Sequence, residues 1–240
     1  MSTVISNVDP LSEYRSVPER IDAVTVNIPL DRLKELYPDV QRFTAMAVKF
    51  SYHPDSPSKP RALLIKRNGI DSSWGDTWEP GGGGPNKEDP TIGYSAARES
   101  EEETAIWPDG FSKDAITCSF YHEDRKAGKR VIMRTFGFII NDNEEAMAQR
   151  VWSGEIQKPV GQCSVKISEE HLDHCWFTEE EVRSAALYVK GTPPGPFDML
   201  RAKKDMVLLA FELFGQSQGQ NVPPSIDIRM WRQHKENLAE

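Results

Sequence analysis

Glu99, Glu102 and Glu103 crowd together just after Arg98, and a run of four glycines, Gly81–Gly84, lies shortly upstream. On a helix the three glutamates fall within one arc of the surface, because successive residues are offset by about 100°. Like charges at that spacing destabilise an isolated helix by about a few tenths of a kcal/mol per pair. A purely structural helix carries them only facing water. A helix that serves a hard divalent cation carries them because such an ion takes several oxygen ligands. Glycines beside the helix let backbone amides and carbonyls approach a metal ion or a phosphate closely. The pattern therefore points to a magnesium–diphosphate site. It is not the P-loop solution, since no GxxxxGK[ST] occurs. Glu101 lies off the arc and reads as solvated.

The elements that must position this segment follow from the chain. DRLKELYPDV (31–40) predicts a short helix ended by Pro38. FTAMAVKFSY (43–52) and ALLIKR (62–67) have strand character. TWEPGGGGPNKEDP (77–90) is an irregular, glycine-rich loop, and TIGYSAARESEEETAI (91–106) is a helix with Pro90 just before its first turn. ITCSFYHE (116–123) and RVIMRTFGFII (130–140) read as a strand pair joined by a basic turn. Thr178 and Glu181 make a capping box for a helix that follows the short apolar HCWFT. DMLRAKKDMVLLAFELFG (198–215) is an amphipathic helix ended by Gly215, and RMWRQHKENLAE (229–240) is a further candidate helix. The order predicts an α+β fold, a mixed β-sheet sandwiched by helices. Residues 1–42 read as an N-terminal extension on the domain, 43–215 as the domain, and 216–240 as a C-terminal tail.

Composition narrows the classes. The chain has 240 residues, 38 % hydrophobic and 28 % charged, which fits a folded globular protein. A net charge of -8 argues against a broad nucleic-acid surface, which needs clustered Lys and Arg. No long apolar run predicts a membrane span, and the N-terminus lacks the pattern of a secretory signal. Cys118, Cys163 and Cys175 have neither disulfide-framework nor zinc spacing, so they read as thiols in a reducing, cytosolic setting.

GGGPNKEDPTIGYSAARESEEETAI resembles the Nudix box, GX5EX7REUXEEXGU with U aliphatic, in a variant associated with fungal members. The REUXEE core matches Arg98-Glu99-Ser100-Glu101-Glu102-Glu103. TWEPGG resembles the family's entry to the box, and EEHLDHCWFTEEEV resembles its later Glu-(x5)-Trp segment. The resemblance spans roughly residues 43–215. It implies a Nudix-like α/β/α sandwich and a pyrophosphohydrolase that uses Mg2+ or Mn2+. Glu99, Glu102, Glu103 and the Gly82 carbonyl would be metal ligands, and Arg98 would orient a glutamate and the loop. Glu170 would be the loop carboxylate that ligates metal or acts as base. The implied substrate is a small-molecule diphosphate, such as a nucleoside diphosphate derivative or an isoprenyl diphosphate, and the resemblance is compatible with a homodimer. The alternative is a non-hydrolytic Nudix-like binding module.

The segment departs from the family pattern in four places. Gly81 stands where the family has proline, and the spacing from Gly83 to Arg98 is one residue longer than standard. The box's first glutamate has no direct equivalent, leaving Glu88 or Asp89. Ser100 replaces an aliphatic residue, which predicts weaker packing beneath the helix. Ala105 replaces the closing glycine, which predicts a helix running on towards Pro108. His171 and His174 read as structural, and Trp74, Trp78 and Trp176 as core or rim. Lys66, Arg67, Arg125, Lys126, Lys129 and Arg130 read either as a basic pocket or as a solvated turn. The proton of an attacking water would go to Glu103 or Glu170.

Overall fold

The computed structural model describes residues 14–53, 56–69, 74–124, 128–140, 165–189, 193–217, 226–227 and 231. Arg125, Lys126, Cys163 and most of the candidate helix at 229–240 lie outside them. The central strands are buried on both faces. In β2 (Arg42–His53), Ala45 and Ala47 face one side and Met46, Val48 and Phe50 face the other. The first half of β2 pairs in parallel with β7 (Lys129–Ile140), and its second half pairs antiparallel with β3 (Ser56–Arg67). β6 (Gly110–Asp124) pairs antiparallel with β7, and β1 (Tyr14–Asp22) with β6. The segment expected to lie on the domain thus extends its sheet. The sheet is mixed and lies between helices, an α+β arrangement.

One face carries α1 (Leu30–Leu36) and α2 (Ile92–Thr104) over Ala45, Ala47, Phe136 and Phe138. The α2 residues turned inward include Ala96, Ala97 and Ser100, small enough to bring the helix backbone close to the sheet. The opposite face carries α4 (Arg201–Ser217). Its Met206, Ala210, Phe211 and Phe214 form one stripe over the sheet. There Phe50 stacks on Phe214 at 4.4 Å and meets Phe211 edge-on at 4.8 Å.

Three short strands complete the frame. β4 (Trp78–Glu79) pairs with β3, and β5 (Gly82–Gly83) pairs with β2. β8 (His171–Thr178) lies antiparallel along β3. It leads into α3 (Glu179–Ser184), where Thr178 and Glu181 form the expected capping box. No helix among the described residues is long and apolar enough to cross a membrane.

Two local expectations need correction. α2 does not run on towards Pro108: it stops at Thr104, and Ala105 takes the left-handed conformation (φ 55°) that the family gives to glycine. The cap hydrogen bond from the Ala105 N–H to the Glu101 carbonyl outweighs the strain of a side chain there. Gly215 does not end α4, which continues to Ser217, since a glycine costs a helix only about 1 kcal/mol and the apolar stripe holds the last turn. At position 100, where the family has an aliphatic residue, buried Ser100 donates to the Ile106 carbonyl at 2.6 Å, so its hydroxyl is satisfied.

Candidate active site

The glycine run carries the chain from β4, on the β3 edge, across to β5, on the β2 edge. It passes under α2 on the way. The Gly81 carbonyl accepts from the Ala47 N–H at 3.0 Å, and the Gly82 N–H donates to the Glu103 carboxylate. None of the four glycines has positive φ, so what the loop requires is the absence of side chains. A Cβ on Gly83 would stand 2.6 Å from the Glu99 carboxylate, and one on Gly81 would stand 2.9 Å from Glu103 Oε2. A Cβ on Gly84 would meet nothing. Two acidic side chains are therefore pressed against bare backbone.

Arg98 fastens the loop to the helix. Its Nε donates to Asp89 at 3.0 Å, while Nη2 donates to Asp89 at 3.0 Å, to Glu99 at 2.8 Å and to the Gly84 carbonyl at 3.0 Å. Nη1 donates to Glu102 at 2.6 Å. Burial works against this guanidinium's charge, but Asp89 and Glu99 more than offset it and hold its proton more tightly than usual. Asp89 is 5 % exposed and accepts from the Asn86 N–H at 2.9 Å, whereas Glu88 is exposed. Between the two candidates for the box's first acid, Asp89 is the one that pairs with Arg98.

The helix arc divides its glutamates. Glu99 is half-buried, and burial raises its pKa despite Arg98. Glu103 is 6 % exposed. Its pKa is raised well above the ordinary carboxylate value, first by burial and then by the charges of Glu79 and Glu99, against the Gly82 N–H and Lys49. Glu102 is exposed and, among the described residues, held by Arg98. Glu101, expected to be solvated, is half-buried. Glu170 is exposed in the turn before β8, where its carbonyl accepts from the Asn68 N–H at 2.8 Å.

Several buried charges nearby have no counterpart in the motif. Lys49 Nζ donates to Thr104 Oγ1 at 2.9 Å. Glu79 bonds Arg67 at 2.6 Å and faces Lys203 Nζ at 3.5 Å. Burial alone would raise the Glu79 pKa, but Lys203 and Arg67 lower it below the ordinary value. The sequence does carry a signal for these residues. Lys49 continues the inward alternation of Ala45 and Ala47, and Lys203 lies on the buried stripe of α4 with Met206 and Ala210. Arg67 belongs to this triad, while Arg130 lies over the Tyr121 ring at 4.0 Å, so the basic residues do not form one cluster among the described residues. Trp78 and Trp176 are buried in the core.

The donor set suits a hard divalent cation. It consists of carboxylates held close against a glycine backbone that carries no side chains. Among the described residues, no three His, Cys, Asp or Glu side chains converge closely enough to enclose an ion. The reason is visible in the geometry: Glu102 turns to Arg98 rather than to Glu103. That pair is half open to solvent, and an exposed i,i+4 pair is worth only about 0.3–0.5 kcal/mol, so Glu102 is free to turn.

Comparison with known proteins gives three findings. A family model described as the NUDIX domain matches residues 55–199. No curated protein matches. Among solved structures, the chain is similar to a Caenorhabditis elegans Ap4A hydrolase binary complex, at 17 % identity over 72 % of this chain and 96 % of that one, with a TM-score of 0.44. It is also similar to the NUDIX domain of Shewanella oneidensis NrtR complexed with ADP ribose (16 %, 73 % and 89 %, 0.45). A third is a MutT protein from Methanosarcina mazei Go1 (18 %, 75 % and 96 %, 0.40).

Proposed function

The chain belongs to the NUDIX family, and we propose that it is a metal-dependent pyrophosphohydrolase cleaving a diphosphate linkage in a small-molecule substrate. The observation that carries this reading is the docking of an acidic helix on a glycine loop, with Glu99 and Glu103 against backbone that has no room for a Cβ. Held by Glu99, Glu102, Glu103 and the Gly82 carbonyl, Mg2+ or Mn2+ would neutralise diphosphate oxygens and lower the pKa of a bound water.

The chain's own residues do the positioning. Arg98 ties Asp89 and the Gly84 carbonyl to α2, which fixes the loop relative to the glutamates. The Gly82 N–H holds one oxygen of Glu103. Glu103 has a raised proton affinity and Glu170 stands exposed at the rim. One of these two carboxylates takes the proton of the attacking water, and wild-type kcat in E170Q would leave that role to Glu103. The family and the site chemistry favour a nucleoside diphosphate derivative as substrate, and the likeness to proteins described with Ap4A and ADP ribose makes those two compounds the first to try.

The test is phosphate or nucleotide release from Ap4A, ADP-ribose and isoprenyl diphosphates with Mg2+ or Mn2+. E102Q should lose on the order of 10²-fold or more in kcat while its melting temperature stays close to that of the wild type. Wild-type turnover in E102Q would refute the metal assignment. Tight binding of one of these compounds without cleavage would favour a non-hydrolytic binding module.

A further inference from the structure

His171 stands next to Glu170 in sequence but points the opposite way, into the protein. Its side chain is 0 % exposed. Its Nδ1 lies 2.9 Å from Ser168 Oγ, and its backbone N–H donates to the Ser168 carbonyl at 3.0 Å. Its Nε2 has no hydrogen-bond partner among the described residues and faces Glu103 Oε1 at 3.6 Å. The Ser168 N–H donates to the Glu103 carbonyl at 3.3 Å, so the same turn grips the backbone of the residue whose side chain the imidazole faces.

We propose that His171 is a positioning residue for Glu103, with Ser168 fixing the ring so that an Nε2–H is aimed at Oε1 while the Gly82 N–H holds Oε2. The inference rests on the reading of Glu103 as a metal ligand. A carboxylate with both oxygens directed has one orientation, and a ligand held in one orientation loses less freedom when it binds an ion. The contact is slightly longer than a hydrogen bond, and a small rotation of either side chain closes it. Neither a strand pattern nor the box contains this information, since Ser168 and His171 are far from Glu103 in sequence. The arrangement also couples the site's two ends. The peptide that turns His171 towards Glu103 presents Glu170 to solvent, and the Asn68 N–H clamps it from β3.

The test uses the full chain and Mn2+ alone, measured by calorimetry and electron paramagnetic resonance. H171F should weaken Mn2+ binding on the order of 10–100-fold, the usual cost of losing a group that orients a metal ligand. H171Q, which keeps a nitrogen donor near the Nε2 position, should recover most of that loss, and S168A should give a smaller loss than H171F. With 15N-labelled histidine, the wild-type ring should carry its proton on Nε2. E103A should move the Nε2 resonance and S168A the Nδ1 resonance. Should H171F fail to fold, H171Q, S168A and the resonances decide the matter. Equal Mn2+ affinity in wild type and H171F, or a proton on Nδ1, overturns the inference alone. A wild-type chain that binds no Mn2+ overturns the metal reading as well as the inference built on it.

Discussion

Glu79 and Glu103 lie on either side of the glycine run, and both are almost wholly buried, at 3 % and 6 % exposure. Their surroundings treat their charge in opposite ways. Glu79 sits between Arg67 and Lys203, which hold its pKa low, so it is an ionised member of a closed triad. At Glu103, Lys49 lowers the pKa by less than the other neighbours raise it. Burial and the fields of Glu79 and Glu99 push its pKa up. A buried charge with its partners in place serves the fold, and a buried carboxylate whose proton affinity stays raised marks a candidate functional site. The triad reaches from β3 through β4 to α4 and so anchors the turn from which the glycines start.

The sharpest way to break the comparison is E103Q. Its kcat should fall on the order of 10²–10⁴-fold, the range for removing a ligand or base from the reacting centre. Without divalent ions it should nevertheless melt higher than the wild type at neutral pH. The folded-state pKa of Glu103 lies above its ordinary value near 4.5. The stability from its proton is therefore fully present below that value and is lost as pH rises through the folded value. The melting gap between E103Q and wild type should widen from about pH 4.5 to neutrality. A gap that shrinks over this window would contradict the uncompensated burial of Glu103.

E79Q tests the other member. It leaves Arg67 and Lys203 buried around a neutral group, and breaking a buried ion pair in this way costs about 3–5 kcal/mol. The sign of its pH dependence is reversed. The depressed pKa of Glu79 gives stability that is present above about 4.5 and lost as pH falls through the folded value, so E79Q should approach the wild type only in acid. Chemical denaturation at two pH values reads this directly.

The smallest expected effects lie in the loop between them. G83A drives a methyl group into the Glu99 carboxylate and should cost about 1–3 kcal/mol of stability. It should cost activity as well. G84A meets open space and should stay within about 0.5 kcal/mol of the wild type. Equal behaviour of the two variants would mean that the close approach at Gly83 has no role.

Much of this was legible before any coordinates. The α2 helix, its acidic arc, the glycine loop and the β6–β7 pair all follow from local pattern, and so does the capping box at Thr178 and Glu181. What stayed hidden has one character. Glu88 and Asp89 are interchangeable in sequence, but only Asp89 reaches Arg98. Ala105 reads as a helix former, yet the chain must turn there to start β6, and it takes the left-handed form. Lys49 and Lys203 look like ordinary charges until both faces of the sheet are covered.

Local pattern alone settles which residue types share a helix face or a strand face, because the periods of 3.6 and 2 are properties of the local backbone. It also determined that a glycine loop abuts three carboxylates. Which of those carboxylates loses its water, which buried cations pair with Glu79, and that His171 comes to face Glu103 were settled by long-range packing. Desolvation and pairing depend on what packs across from a residue, and its partners there are separated from it by long stretches of chain.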